Sequence, residues 1–332
     1  MENFSIFNEY FNQNNFIDRY SKDHYKAVDV IIPVINTNFL FKANLHSFYR
    51  EIPINKLIIG DGGSNDDTID IVTKFPRVEI IKQKGYNSQG FAIKELILAA
   101  ETKYFIYLHA DVFLPPKWFD TMYNFRENYE WYECFRKMTV LFEYPENHAF
   151  NAERAYSGSQ FGKTDFMKKI VRDTIDDDYL QRNEDIILME LTKSNGGNYG
   201  KIKDTFHYHQ TANKKGNQEP NLDKLFLTRT SDPDWEKKIF NMQYRGIIKY
   251  LNPKDYLIKN VFLSILKLIN MNEFDWSEFK IWVKETNPVW LNHITRLKFY
   301  KFQFRRFKSS FIKILINETQ LGKYYHKIKN KS

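Results

Sequence analysis

The sequence predicts an α/β fold, a mostly parallel sheet with helices on both faces. Three observations carry the prediction. Short apolar runs recur at Val28–Val34, Lys56–Gly60, Val78–Ile81 and Tyr104–Leu108, the pattern of strands buried on both faces. Segments with apolar residues at helical spacing separate them. Polar, Asp-bearing stretches follow the second and fourth runs, Asp61-Gly-Gly-Ser-Asn-Asp-Asp-Thr68 and His109-Ala-Asp111. Open α/β sheets bind ligands at such strand ends.

The elements follow in order. The first 27 residues are polar and aromatic, and read as an extra helix that packs on the domain. Val28–Val34 is the first strand, and Phe39–Tyr49 a helix with apolar positions 41, 45, 48 and 49. Lys56–Gly60 is the second strand, followed by a helix over Asp66–Phe75. Val78–Ile81 is the third, with a polar loop at Lys82–Gln89 and a helix at Gly90–Ala100. Tyr104–Leu108 is the fourth. Alternation at this spacing implies right-handed βαβ units.

Beyond Pro115-Pro116 the alternation breaks down, and residues 117–215 mix helical and extended patterns. Glu184-Asp185 opens a helix with Ile187, Leu188 and Leu191 as its buried stripe, ended by Asn195-Gly-Gly197. Lys201–Phe206 approaches His207-Tyr-His209 as an extended segment. From about residue 216 the pattern is mainly helical, broken at Pro220, Pro233, Pro253 and Pro288. The expected organisation is an N-terminal extension (1–27), a first half of the α/β domain (28–115), a second half (116–215) and a basic helical extension (216–332).

Composition narrows the class. With 332 residues and 42% hydrophobic content the chain can bury a large core. A single cysteine, Cys134, excludes an internal disulfide, and no Cys-His spacing resembles a zinc site. No 18-residue run is free of charge, and the N-terminus lacks the basic and apolar regions of a signal peptide. A cytoplasmic location is expected. The net charge of +8 is concentrated in residues 296–331. That stretch is either a solvated helix face or a patch for an anionic partner, with an anionic membrane surface preferred over nucleic acid.

No Gly-x-Gly-x-x-Gly follows the first strand and no P-loop appears. A bound diphosphate would therefore have to be met by a metal, by side chains or by isolated amides. On the residues alone, Asp61 is either a strand-end acceptor for a ligand's donor or the pivot of an Asx turn. Asp111 is either a metal ligand or a turn cap. Glu184 and Asp185, acids in a first helical turn, favour the helix dipole. Asp176-Asp-Asp178 reads as a solvated loop.

Val30-Ile-Ile-Pro-Val34, Asp61-Gly-Gly-Ser-Asn-Asp-Asp-Thr68, Leu108-His-Ala-Asp-Val112 with Leu114-Pro-Pro116, and Asn183-Glu-Asp-Ile-Ile-Leu188 stand in one order and spacing. Together they resemble the family-2 glycosyltransferases of GT-A fold, over about residues 28–210. The resemblance implies a Rossmann-like sheet and inverting transfer of a sugar from a nucleotide diphosphate donor, a UDP-sugar above all, to a hydroxyl on a glycan or lipid-linked acceptor. It implies nucleotide-sugar contacts from Pro33, Val34, Asp61, Gly63, His109 and Asp111.

The same resemblance aligns Asp111 with the last acid of the family's Asp-x-Asp motif, which binds Mn²⁺ or Mg²⁺. His109 replaces the first acid, and imidazole shifts the preference toward Mn²⁺. Asp185 falls at the family's catalytic base, with Glu184 placed to bind acceptor hydroxyls. A histidine beyond the base would complete the metal shell. Either His207 or His209 suits, and His207 is the preferred choice. The loop Lys84–Gly90 is expected to line the donor pocket. Three rival readings remain: a non-catalytic binding protein on a decayed scaffold, motivated by His109; a sugar nucleotidyltransferase, which the Pro33–Asn38 loop disfavours; and an RNA- or membrane-surface binder acting through residues 296–331.

Overall fold

The computed structural model describes residues 16–37, 41–83, 89–140, 158–175, 184–211, 235–296 and 298–303. The loop at 84–88, the acids Asp176-Asp-Asp178 and most of the basic segment 296–331 lie outside them. The chain divides into two compact units, residues 1–242 and 243–332.

The first unit is organised by one sheet. Its strands are β1 (Val28–Val34), β2 (Ile54–Asp61), β3 (Val78–Lys82), β4 (Tyr104–Leu108), β5 (Val112–Phe113), β6 (Trp131–Val140), β7 (Ser159–Lys163) and β8 (Tyr199–Thr211). They lie in the order β3-β2-β1-β4-β7-β6-β8-β5. β3, β2, β1 and β4 are parallel, as the sequence predicts. Beyond β4 the sheet is mixed: β7 is antiparallel to both β4 and β6, β8 is parallel to β6, and β5 antiparallel to β8.

The described helices of this unit are α1 (Tyr20–Asp23), α2 (Phe41–Glu51), α3 (Thr68–Val72), α4 (Gln89–Ala99), α5 (Trp118–Tyr123), α6 (Thr164–Asp173) and α7 (Glu184–Ser194). Val30, Ile31 and Ile32 are all fully buried because both sheet faces are covered. Leu45, Phe48 and Tyr49 of α2 join Val30 and Ile32 in one core cluster. On the opposite face α4 lies against β1 and β2. There a side chain at Gly60 would come within 3.0 Å of Leu96.

One acid of the first strand is structural. Asp29 is fully buried and accepts from the Glu101 and Thr102 amides at 2.6 and 3.0 Å and from Asn55 Nδ2 at 2.9 Å. It pins the turn that delivers β4, so its burial is matched by hydrogen bonds.

The N-terminal extension is described from Phe16. It holds the single turn α1 and a 3₁₀ turn at His24–Lys26. Phe16 meets the rings of His46, Tyr49 and Phe75 edge-on.

Helix α8 (Trp235–Tyr250) crosses from the first unit to the second, which continues with α9 (Asp255–Asn270), α10 (Trp276–Thr286) and a 3₁₀ turn at Pro288–Asn292. Asp275 caps α10 by accepting from the Ser277 and Glu278 amides at 2.6 and 2.9 Å. Such a cap is worth about 1 kcal/mol. Trp290 is fully buried and donates its indole N–H to Leu251 O at 2.7 Å. No described helix is long and apolar enough to cross a membrane.

Candidate active site

The C-terminal ends of β1, β2 and β4 carry the residues singled out in the sequence. Pro33 pairs with Gly60 and Val34 with Asp61, so the first two candidates and the first acid share one sheet edge. Asp61 is nearly buried. Its Oδ1 accepts from the Gly63 and Ser64 amides at 3.2 and 2.9 Å, which is the Asx turn. Gly63 has φ of 91° there, a conformation that favours glycine. Only one oxygen is used by the turn. Among the described residues no protein group bonds the other, so the two readings of Asp61 are compatible. The loop is also tied to the β1 exit, where the Asn36 amide donates to Ser64 Oγ at 3.1 Å and the Asn65 amide to Asn36 Oδ1 at 2.9 Å.

The second acid sits in a tight loop after β4. The His109 amide donates to Gly158 O at 2.9 Å and the Val112 amide to His109 O at 3.3 Å. Asn44, fully buried on α2, donates to Ala110 O at 2.7 Å. Val112 then pairs with His209 of β8. That pairing brings His109, Asp111 and His209 together, with one ligand atom from each lying within 4.8 Å of the others. His209 Nδ1 is 3.5 Å from Asp111 Oδ2 and His109 Nδ1 is 4.0 Å from Asp111 Oδ1.

The cluster holds His209 and not His207, the preferred choice of the sequence reading. The reason is register. Residue 209 faces Val112 across the β5–β8 pair, whereas His207 lies two residues back along β8. His207 is fully buried and its Nδ1 lies 2.7 Å from Ser159 Oγ. Cys134 Sγ is 3.3 Å from the same hydroxyl and accepts from the Trp118 indole at 3.2 Å. His207 Nε2 has no hydrogen-bond partner among the described residues. Next to it, Gly158 has φ of +139°, and a side chain there would come within 2.9 Å of that nitrogen.

Electrostatics suit a cation. Burial lowers the pKa of His109 to about 4 and that of His209 to about 3, so both rings are neutral and each carries one nitrogen lone pair. Side chain His109 is 15% exposed and Asp111 38%, so the cluster opens to solvent through the acid. Desolvation among the rings nevertheless pushes the Asp111 carboxyl up to about 7. A bound cation would hold it ionised. Two neutral imidazoles and a carboxylate form a donor set that first-row divalent metals accept, so these residues fit a divalent metal. Arg136 is a residue the sequence reading missed. It lies on β6 and pairs with His207 of β8, and its guanidinium opposes the protonation of His109, Asp111 and His209.

The field of the acid pair that opens α7 reaches Tyr107 of β4. Glu184 is buried, while Asp185 is half-buried in the same first turn. Tyr107 is fully buried, and its hydroxyl is pushed well above the usual range by burial and by the fields of Glu184, Asp185 and Asp111. Tyr107 pairs with Gln160, which pairs with Glu133. This polar row was invisible in the sequence. Glu133 accepts from the Tyr199 hydroxyl, and burial, reinforced by the field of Asp185, raises its carboxyl to about 7.

Residues 29–176, the stretch that supplies Asp61, His109, Asp111 and most of the sheet, match the family model for glycosyl transferase family 2. This part of the chain is a family 2 glycosyltransferase domain. Comparison with curated proteins finds no match. Among solved structures the chain is similar to GalNAc-T7 with UDP, GalNAc and Mn²⁺, at 13% identity and a TM-score of 0.51, over 80% of this chain and 56% of that one. It is also similar to S. aureus TarS 1–349 in complex with UDP-GlcNAc, at 14% identity and a TM-score of 0.44, over 81% of this chain and 79% of that one. The likeness to GalNAc-T7 is one of fold. The family 2 domain thus has the GT-A sheet that the motifs imply, and its strand ends carry the candidate residues.

Proposed function

We propose that the family 2 domain catalyses inverting transfer of a sugar from a nucleotide diphosphate donor, a UDP-sugar, to a hydroxyl acceptor on a glycan or lipid. The observation that carries this reading is the assembly of His109, Asp111 and His209 at the strand-end edge of a family 2 domain. These three residues would hold Mn²⁺ or Mg²⁺, with the two imidazoles favouring Mn²⁺. Such an ion supplies positive charge to the phosphate oxygens of the donor. GalNAc-T7, which shares the fold, has been captured with UDP and Mn²⁺.

The chain's own groups have distinct tasks. The oxygen of Asp61 left outside its turn accepts the imide N–H of the base, with Pro33, Val34 and Gly63 shaping the wall around it. Asp185 takes the proton from the acceptor hydroxyl as that oxygen bonds to the anomeric carbon. The bond from that carbon to the phosphate oxygen breaks on the opposite side, and its electron pair leaves with the nucleoside diphosphate. Glu184 holds a neighbouring acceptor hydroxyl. Arg136 offsets charge on the departing diphosphate. The basic segment 296–331 would keep the enzyme near an anionic membrane surface, where a lipid-linked acceptor resides.

The test is calorimetry of UDP with Mn²⁺ and with EDTA, followed by release of UDP from a panel of UDP-sugars. Binding that needs Mn²⁺, turnover of one donor and a product of inverted anomeric configuration by NMR are expected. Equal UDP affinity with and without metal would overturn the metal-assisted reading.

A further inference from the structure

His109 reaches toward Asp111 with Nδ1, at 4.0 Å. Its other nitrogen, Nε2, lies 3.0 Å from the side-chain amide nitrogen of Gln89, the first residue of α4. The same amide nitrogen donates to the Tyr107 hydroxyl at 2.8 Å. This pair of contacts decides which tautomer His109 adopts. An amide N–H pointing at Nε2 needs a lone pair there, so the imidazole proton must then sit on Nδ1. In that state Nδ1 cannot bind a cation.

Metal ligation by Nδ1 requires the opposite tautomer, with the proton on Nε2 and an acceptor facing it. A glutamine side chain can supply one without moving its backbone, because its oxygen and nitrogen exchange places when the amide turns over. The Tyr107 hydroxyl can follow the exchange, since it both donates and accepts. After turning, Gln89 Oε1 would accept from His109 Nε2–H and from Tyr107 O–H together. Ligating histidines are commonly oriented by an acceptor on the second nitrogen. Here the partner is an amide that serves both the empty and the loaded state.

We propose that Gln89 is a positioning residue that sets the tautomer of His109, turning over its amide to make Nδ1 a metal ligand. This rests on the reading of His109, Asp111 and His209 as a divalent-metal site. It explains how a histidine can stand where the family carries an acid: the ring needs a switchable partner, and the start of α4 provides one. Tyr107 is the anchor. It is fully buried on β4 and holds the amide in place in either orientation.

The experiment uses the full chain, Mn²⁺ alone as probe, and the variants Gln89→Met and Gln89→Glu. Free Mn²⁺ is measured by electron paramagnetic resonance, and the His109 tautomer by ¹⁵N shifts of histidine-labelled protein with diamagnetic Mg²⁺ or Zn²⁺. Gln89→Met, which neither donates nor accepts, should weaken Mn²⁺ binding by about 10–100-fold. Gln89→Glu, which only accepts, should restore it and fix the proton on Nε2 before metal is added. Wild-type protein should move that proton from Nδ1 to Nε2 on loading. If the wild type binds Mn²⁺ and Gln89→Met binds it equally well, or the proton does not move, the role of Gln89 is wrong. If the wild type binds no Mn²⁺ at all, the metal site itself falls.

Discussion

His209 Nδ1 lies 3.5 Å from Asp111 Oδ2, and the pairing of Val112 with His209 across β5 and β8 is what sets that distance. A two-residue strand therefore defines the candidate metal centre, and the consequences can be separated from those of its neighbour His207.

His209→Ala should abolish the Mn²⁺ dependence of UDP binding, as should Asp111→Asn. His207→Gln should keep the dependence while lowering thermal stability, because it disturbs the Ser159–Cys134 contacts rather than the cluster. Calorimetry with and without EDTA, paired with thermal melts, checks both. Loss of metal dependence in His207→Gln alone would reassign the ligand.

Metal binding should strengthen with pH up to about 7. The Asp111 carboxyl in the folded protein titrates near 7, above its ordinary value, so below that pH the cation must displace a proton. The rings of His109 and His209 titrate near 4 and 3 and do not compete above pH 5. The sign follows: a raised acid pKa means the empty site favours the protonated form, and its contribution to stability fades as pH rises from about 4 to 7. Mn²⁺ reverses this. Apparent affinity should climb about tenfold per pH unit below 7 and level off above it. A flat profile from pH 5.5 to 7.5 would contradict the assignment.

Asp185→Asn should leave UDP affinity nearly unchanged while lowering transfer by about 10²–10⁴-fold. Single-turnover transfer assays measure it. Near wild-type transfer would move the base elsewhere, with Glu184 tested next.

Arg136→Met should weaken UDP by about 10–100-fold, the span of a hydrogen bond to a charged group, and leave uridine affinity unaltered. Competition binding of the two ligands gives the ratio. Equal losses for both would mean that Arg136 shapes the pocket and does not meet the diphosphate.

Gly158→Ala should cost about 1–3 kcal/mol, since its backbone has φ of +139° and its side chain would crowd His207 Nε2 at 2.9 Å. Chemical denaturation of the variant measures it. An unchanged midpoint would show that the turn tolerates a side chain.

The sequence by itself determined the parallel half of the sheet. Runs such as Val30-Ile-Ile32 cannot be satisfied except by cover on both faces, and their spacing leaves room for one helix each. It also determined that Asp61 and Asp111 stand at strand ends, because acids following buried strands have nowhere else to go. It did not determine β6, β7 and β5, whose short or polar stretches carry no clear period: Ser159-Gln-Phe-Gly-Lys163 is buried only because its neighbours flank it on both sides. The choice between His207 and His209 was equally beyond the sequence. Both point the same way on an extended strand, and only the pairing of β8 with Val112 selects one. Gln89, Tyr107 and Arg136 belong to the same class. Each meets the site through strands and helices distant in sequence, so proximity in the folded chain, and no local pattern, gives them their role.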